Sequence, residues 1–255
     1  MSPPANVRVA VEVAVDSVAG ATAAVAAGAD RLELCAALLE GGLTPSAGLL
    51  AAVKAAVAVP VFAMARPRGG DFLYDGSELD VLLRDVEALR AGGADGIVAG
   101  VLTADGAIDG DALAQIRERA GALPLTCHRA IDLTADPFAA LATLIHVGCE
   151  RVLTSGQAAS AAVGADRIAE LVAAAAGGIT VMAGAGVRPD NAAEIVRRTG
   201  CRELHLSATA WRASAMRFRR DGVPMGVTAP PGEYARRVTD PDAVAAVVAA
   251  VAAAR

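Results

Sequence analysis

Five apolar stretches of this chain carry a charged or imidazole side chain: Glu12 in RVAVEVAVDS, Glu33 in DRLELC, Arg66 closing VPVFAMAR, His128 in PLTCHRA and His205 in RELHLS. Half-burying such a group costs on the order of several kcal/mol unless it is paired or used, so the set marks a site or an internal ion network. Glu12, Glu33 and Asp16, with His128 and His205, are the residue types of general acid and base catalysis or of a divalent metal site. No HxH or HExxH spacing selects the metal. The structural alternative pairs the charges internally, for example Arg66 bridging Glu12 and Glu33. His146, in FAALATLIHVG, reads as a helix-terminus residue without a chemical role.

A second group suits anion recognition. RPRGGDF (66–72) sets Arg66, Arg68 and Asp71 around a glycine pair that lets backbone approach a ligand. AGAGV (183–187) places Gly184 and Gly186 before a helical segment containing Asn191, an arrangement that can present amide hydrogens to phosphate or carboxylate. Thr154 and Ser155, in TSGQ, add hydroxyls to the same rim. The plainer readings are a tight loop in which Asp71 holds Arg68, and short loops that join strands to helices or cap helix 6. The chain's one lysine, Lys54, falls in a helical stretch, which argues against Schiff-base chemistry, and neither a GxSxG elbow nor a P-loop is present.

The elements that must position these residues repeat. Helical patterns end at Gly28, Gly93, Gly148 and Gly200, each just before a short apolar run, as suits a left-handed glycine after a helix. Thr44-Pro45, Asp136-Pro137 and Asp240-Pro241 offer an N-cap followed by proline at the first helical position. Strands are expected at 7–15, 30–35, 59–66, 95–101, 123–129, 150–155, 178–184 and 202–207, separated by alanine-rich amphipathic helices, with a last helix at 240–254. Eight βα units in 255 residues predict one α/β domain spanning 1–255, a TIM (β/α)8 barrel, with a doubly wound open sheet as the alternative. Residues 208–239 are too long for a simple βα loop and are expected as an irregular insertion over the barrel mouth or a contact surface. Strand alternation turns Glu12 inward with Ala14, Glu33 with Cys35, Met64 with Arg66, Thr126 with His128, and Glu203 with His205. Most of these lie late in their strands, at the end where this fold builds its sites.

Hydrophobic residues make up 55% of the chain, but aromatic residues only 3%, and no stretch meets the roughly 20 apolar residues of a membrane span. The N-terminus shows no secretory signal pattern, and four cysteines without CxxC spacing fit reduced thiols, so a cytoplasmic location is expected. A formal net charge of −5 argues against a dedicated nucleic-acid partner. Flat alanine-rich helices and the arginines around Trp211 offer surfaces for a homodimer.

VEVAVDS, GADRLELCAALLEGGLTPS, RPRGGDFLY, HRAID, LTSGQ and GAGV, in this order, resemble the CutC family over nearly the whole chain, RPRGGDF and EGGLTPS being the most specific pieces. The resemblance implies a cytoplasmic TIM barrel, often dimeric, with a role in copper homeostasis and copper(I) as the implied ligand. It carries over Glu12, Asp16, Glu33, Cys35, Arg66, Arg68, Asp71, His128, Arg129, Asp132 and His205 as functional residues, Cys35 being the implied metal ligand. One departure bears on copper: the family commonly reads EVCVDS in the first strand, where this chain has Ala14. Cu(I) prefers two or more thiolates or thioethers, and Cys35 with Met64 is a poorer pair. The other class is an enzyme acting by acid and base chemistry on a small anionic or sugar-like metabolite, with arginines as clamps and Glu12, Glu33 and His128 moving protons.

Overall fold

The computed structural model describes residues 8–220, 222, 223, 225 and 232–253. Eight parallel strands run β1 (Ala10–Val15), β2 (Arg31–Leu34), β3 (Val61–Met64), β4 (Gly96–Ala99), β5 (Leu125–Cys127), β6 (Arg151–Thr154), β7 (Thr180–Ala183) and β8 (Glu203–Leu206). Each pairs with the next, and β8 returns to β1 in the register Ala10↔Glu203 to Val13↔Leu206. That closure excludes the open sheet and makes a closed (β/α)8 barrel. The hydrogen-bonded ladders are shorter than the apolar runs, because the runs continue into the loops at both ends.

Helices α1 (Val18–Ala26), α2 (Ala47–Ala56), α3 (Gly76–Ala91), α4 (Gly110–Ala120), α5 (Pro137–Val147), α6 (Ala165–Ala175), α7 (Ala192–Thr199) and α8 (Pro241–Ala253) surround it. Their ends follow local chemistry. Asp75 and Glu78 form a reciprocal capping box on α3, and Asp136 caps α5 with Pro137 at its first position. Gly148 and Gly200 follow their helices at φ +83 and +69, the left-handed conformation that their spacing implied. Thr44-Pro45 does not start α2; Ser46 is the cap. Thr44 instead donates to Asp85 at 2.7 Å and accepts the Arg66 amide at 3.0 Å, tying the β2 and β3 loops together.

Strand parity divides the side chains. Val11, Val13, Val15, Leu32, Leu34, Val61, Ala63 and Ala65 face the helical shell and join one core with Leu50, Leu82, Ile116, Leu144 and Ile168. Each fully buried Leu or Ile there contributes roughly 1.5–3 kcal/mol. The alternate positions fill the barrel, where Cys35, Phe62, Met64 and Val98 form a small separate apolar cluster.

The insertion after β8 is more regular than its composition suggested. β9 (Thr209–Ala213) and β10 (Ala235–Thr239) pair antiparallel, Trp211 opposite Arg237, as a two-stranded sheet outside the barrel. Residues 221, 224 and 226–231 of the insertion lie outside the described residues.

Candidate functional site

The barrel interior holds two layers of charge. Toward the N-terminal ends of the strands, the Arg31 guanidinium donates to Glu12 and, at 2.5 Å, to Glu203. Arg151 donates twice to the same Glu203, at 2.5 and 3.0 Å. Both guanidinium groups lie over the Phe62 ring, 5.1 and 5.5 Å from its centroid. Gly96 makes room for that ring, since a Cβ there would sit 2.7 Å from it. Every charge in this layer is paired.

The second layer sits above it at the mouth. Glu12, 1% exposed, holds His205 through Oε1···Nδ1 at 2.8 Å, so Nδ1–H donates and Nε2 is turned toward Glu33 Oε2, 3.8 Å away. Cys35 Sγ donates to Glu33 Oε2 at 3.4 Å, while Glu33 Oε1 is buried without a hydrogen-bond partner. The environments pull these groups apart. Burial acts to raise Glu12, but the His205 hydrogen bond and the Arg31 charge prevail and bring it down to about 2. Burial and the Glu12 charge push Glu33 above the usual carboxylate range. His205 is raised: burial alone would lower it, and the two carboxylates outweigh burial. The result is an anionic Glu12 that orients His205, and two groups with raised proton affinity, His205 and Glu33, facing each other.

Glu33 and His205 line a cavity of about 520 Å³ at the C-terminal ends of the strands, with Ala14, Gly186, Arg129, Arg188 and Arg237 also on its wall. The size suits a small metabolite. The ligand atoms of Glu12, Glu33 and His205 lie within 4.8 Å of one another, a carboxylate and imidazole donor set suited to a divalent cation. It is a poor set for Cu(I). The soft donors here are Cys35, whose thiol is pushed up by burial and by Glu33, and Met64, packed in the same cluster; Ala14 supplies no second thiol.

The remaining sequence candidates scatter around this centre. Asp16 is exposed beyond β1, its carboxyl raised by partial burial. His128 is buried apart from the cluster, its Nδ1 accepting the Ala130 amide at 3.2 Å and its ring 4.5 Å from that of Phe72. Burial, then the Arg66 charge, lower it to about 3. Arg66 does not bridge Glu12 and Glu33. It donates to the carbonyls of Glu40, Gly42 and Gly70 and stacks on Phe72, so it organises the β2 and β3 loops. Arg68 is held by Glu78 and Asp71. Asp132 accepts from Thr154, from the Ser155 amide and hydroxyl, from the Gln157 amide and from Arg129, closing the β5 and β6 loops on each other. Gly184 lets Leu153 and His205 pack where a Cβ would clash, and Gly186, at φ +68, lines the cavity.

Arg31, Arg151, Arg188 and Arg237 were not among the sequence candidates. Arg31 was legible, being two residues before Glu33 on the same strand face, and Glu203 already stood with His205 in the inward set. Arg151 opens a strand, and Arg188 and Arg237 reach the cavity from loop and insertion, where periodicity carries no signal.

Comparisons with known proteins bear on this barrel. The sequence profile of the CutC family matches residues 9–210. The human copper homeostasis protein cutC homolog is 48% identical over 229 residues, 90% of this chain and 84% of the human protein. A family protein CutC from Chromobacterium violaceum is 48% identical over 92% of this chain and 95% of its own length. A solved CutC structure from Streptococcus agalactiae superposes with a TM-score of 0.74 at 30% identity, over 77% of this chain and 97% of that one. A phosphoribosylanthranilate isomerase from Thermotoga maritima, at 11% identity and a TM-score of 0.56, shares the fold.

Proposed function

The chain belongs to the CutC family and is a homologue of its human copper homeostasis member, and on that premise we propose that its barrel mouth binds a small anionic or polyhydroxylated metabolite and moves protons on it. The observation that carries this reading is the Glu12–His205–Glu33 line at the cavity floor. Glu12 holds the imidazole tautomer and raises its basicity, as a carboxylate does behind a catalytic histidine. His205 Nε2 then takes or returns a proton at a substrate carbon or hydroxyl, and Glu33, whose raised carboxyl protonates readily, serves the other side of the transfer. The cavity end of the barrel, with loops from several strands, is where this fold places such chemistry.

The test is solvent deuterium incorporation, followed by NMR, for hydroxy-carbonyl acids and sugar derivatives incubated with the protein in D2O. Incorporation that falls in Glu33→Gln and His205→Asn is expected. No incorporation with any compound, or incorporation indifferent to both changes, removes the proton-transfer role.

A second reading, copper handling, rests on Cys35 beside Met64 under the mouth and on the names of the relatives. Anaerobic Cu(I) competition against a chelator, wild type against Cys35→Ser, decides it: tight one-to-one binding lost in the variant supports copper, and weak or mutation-insensitive binding removes it. The setting we propose is a cytoplasmic homodimer, which light scattering would overturn by showing a monomer across micromolar concentrations. No helix among the described residues is long and apolar enough to cross a membrane.

A further inference from the structure

We infer that the cavity recognises a phosphorylated small metabolite, its phosphate seated between Arg237 of the insertion and the backbone amides of Gly186 and Val187, its hydroxyl or carbonyl end on Glu33 and His205. This deepens, and rests on, the proton-transfer reading.

Charge accounting around the wall points to Arg237. Arg129 is paired with Asp132 at 2.8 Å, and Arg188 with Asp190 at 3.2 Å. Arg237 lines the cavity, lies 5.5 Å over the Trp211 ring, and has no carboxylate partner among the described residues. A stacked, unpaired guanidinium at a cavity edge is oriented for an incoming anion.

Backbone geometry supplies the facing half. The Ala185 carbonyl accepts from the Ala161 amide at 2.9 Å, and the Gly186 carbonyl accepts from Asn191 Nδ2 at 2.9 Å. In a trans peptide the following N–H points opposite to the carbonyl. The amides of Gly186 and Val187 are therefore turned away from the groups that pin this loop, and no acceptor for them is present among the described residues. Ala185 and Gly186 both hold positive φ, +73 and +68, and the loop leads to the first turn of α7. Two adjacent amides without acceptors, on a loop that leads into a helix N-terminus, can hydrogen-bond one anion.

An independent observation points to a ligand at the other end. Glu33 is 4% exposed, lines the same cavity, and has a buried Oε1 without a partner. A substrate hydroxyl completes it, which gives the ligand one donor end and one anionic end. The proposal thus assigns Arg237 as a specificity-determining residue supplied by the insertion.

The experiment is calorimetric titration of the full chain with inorganic phosphate, in wild type, Arg237→Gln, Arg237→Lys and Arg212→Gln. Arg212 is opposite Arg236 in the sheet register, on the face away from Trp211 and Arg237. Expected are measurable phosphate binding, a loss of about 10-fold or more in Arg237→Gln, a smaller loss in Arg237→Lys, and no change in Arg212→Gln. No phosphate binding by wild type, equal affinity in Arg237→Gln, or acetate binding as well as phosphate would overturn the phosphate assignment. Glu33→Gln separates the two levels. Phosphate binding retained in it while deuterium incorporation is lost supports both. Arg237-dependent phosphate binding with no incorporation in any protein sinks the proton-transfer reading alone, and Glu33-dependent incorporation without phosphate binding sinks the inference alone.

Discussion

The two charged layers inside the barrel use the same residue types to opposite ends. In the lower layer Arg31 and Arg151 both close on Glu203 around Phe62, and Arg31 reaches Glu12 as well, so each charge has an opposite partner. In the upper layer Glu12, His205 and Glu33 stop short of that: Glu33 Oε1 is unpartnered and His205 Nε2 stands 3.8 Å from its nearest carboxylate oxygen, beside open space. Burial of charge alone therefore does not mark a site. What marks it is burial with hydrogen-bonding capacity left over, next to a cavity.

The sharpest way to break this contrast is to unpair the lower layer. Glu203→Gln leaves two arginines, whose side chains are 10% and 12% exposed, facing one another across an amide. Losing one partner of a buried ion network typically costs about 3–5 kcal/mol. Urea denaturation is expected to report a loss of that size. A loss under about 1 kcal/mol would mean that water compensates these charges and that the lower layer is not structural.

The upper layer should respond in the opposite sense. Glu33→Gln replaces a carboxyl that burial already holds in difficulty with a neutral isostere, so stability is expected to change by only about 1 kcal/mol. Deuterium incorporation, by contrast, is expected to fall about 100-fold or more, the scale of general acid–base catalysis. If Glu33→Gln destabilises the fold as much as Glu203→Gln, the two layers are one structural network and the comparison collapses.

Much of this was legible in the sequence, and for identifiable reasons. Period-two alternation in RVAVEVAVDS and RELHLS puts Glu12 and His205 on one face, and the closed parallel register Glu12↔His205 makes them neighbours. The glycine junctions and the helix caps set the eight repeats. His128 and Arg66 obey the same alternation yet serve loops, because their partners are backbone carbonyls, amides and Phe72, which no side-chain pattern announces. Arg188 and Arg237 were illegible for a related reason: a loop and an inserted hairpin deliver them, and only the tertiary fold brings those to the cavity.

His128 offers an intermediate test, being buried and unpartnered at Nε2 like Glu33, but away from the cavity floor. Its folded pKa of about 3 lies below the ordinary 6.5, so the unfolded chain binds its proton first. Its contribution to stability is complete above pH 6.5 and is lost as pH falls from there toward 3, by about 2 kcal/mol at pH 5. Glu12 adds a loss only lower, between its ordinary 4.5 and about 2. Urea unfolding at pH 7 and pH 5 is expected to show a smaller drop in His128→Gln than in wild type. An identical drop would show that His128 takes up its proton in the folded protein, and hence that it is accessible in a way the contrast denies.

The smallest expected effect on stability comes from Ala14→Cys, and it bears on which chemistry the upper layer serves. Ala14 is 3% exposed, lines the cavity and is the register partner of Glu33, two residues from Cys35 on the same face. One added sulfur at the cavity wall is expected to shift unfolding by less than about 1 kcal/mol. Its effect on Cu(I) is a separate matter, because a second thiol beside Cys35 turns a one-thiol, one-thioether pair into a set of three soft donors with two thiols, which Cu(I) favours. If the mouth is built to take copper, anaerobic competition should show Ala14→Cys binding more tightly than wild type, with the gain abolished by adding Cys35→Ser. If the two proteins bind equally weakly, the buried thiol beside Glu33 does not yield its proton to a soft metal even with a partner supplied, and the unsatisfied carboxyl is left to a substrate.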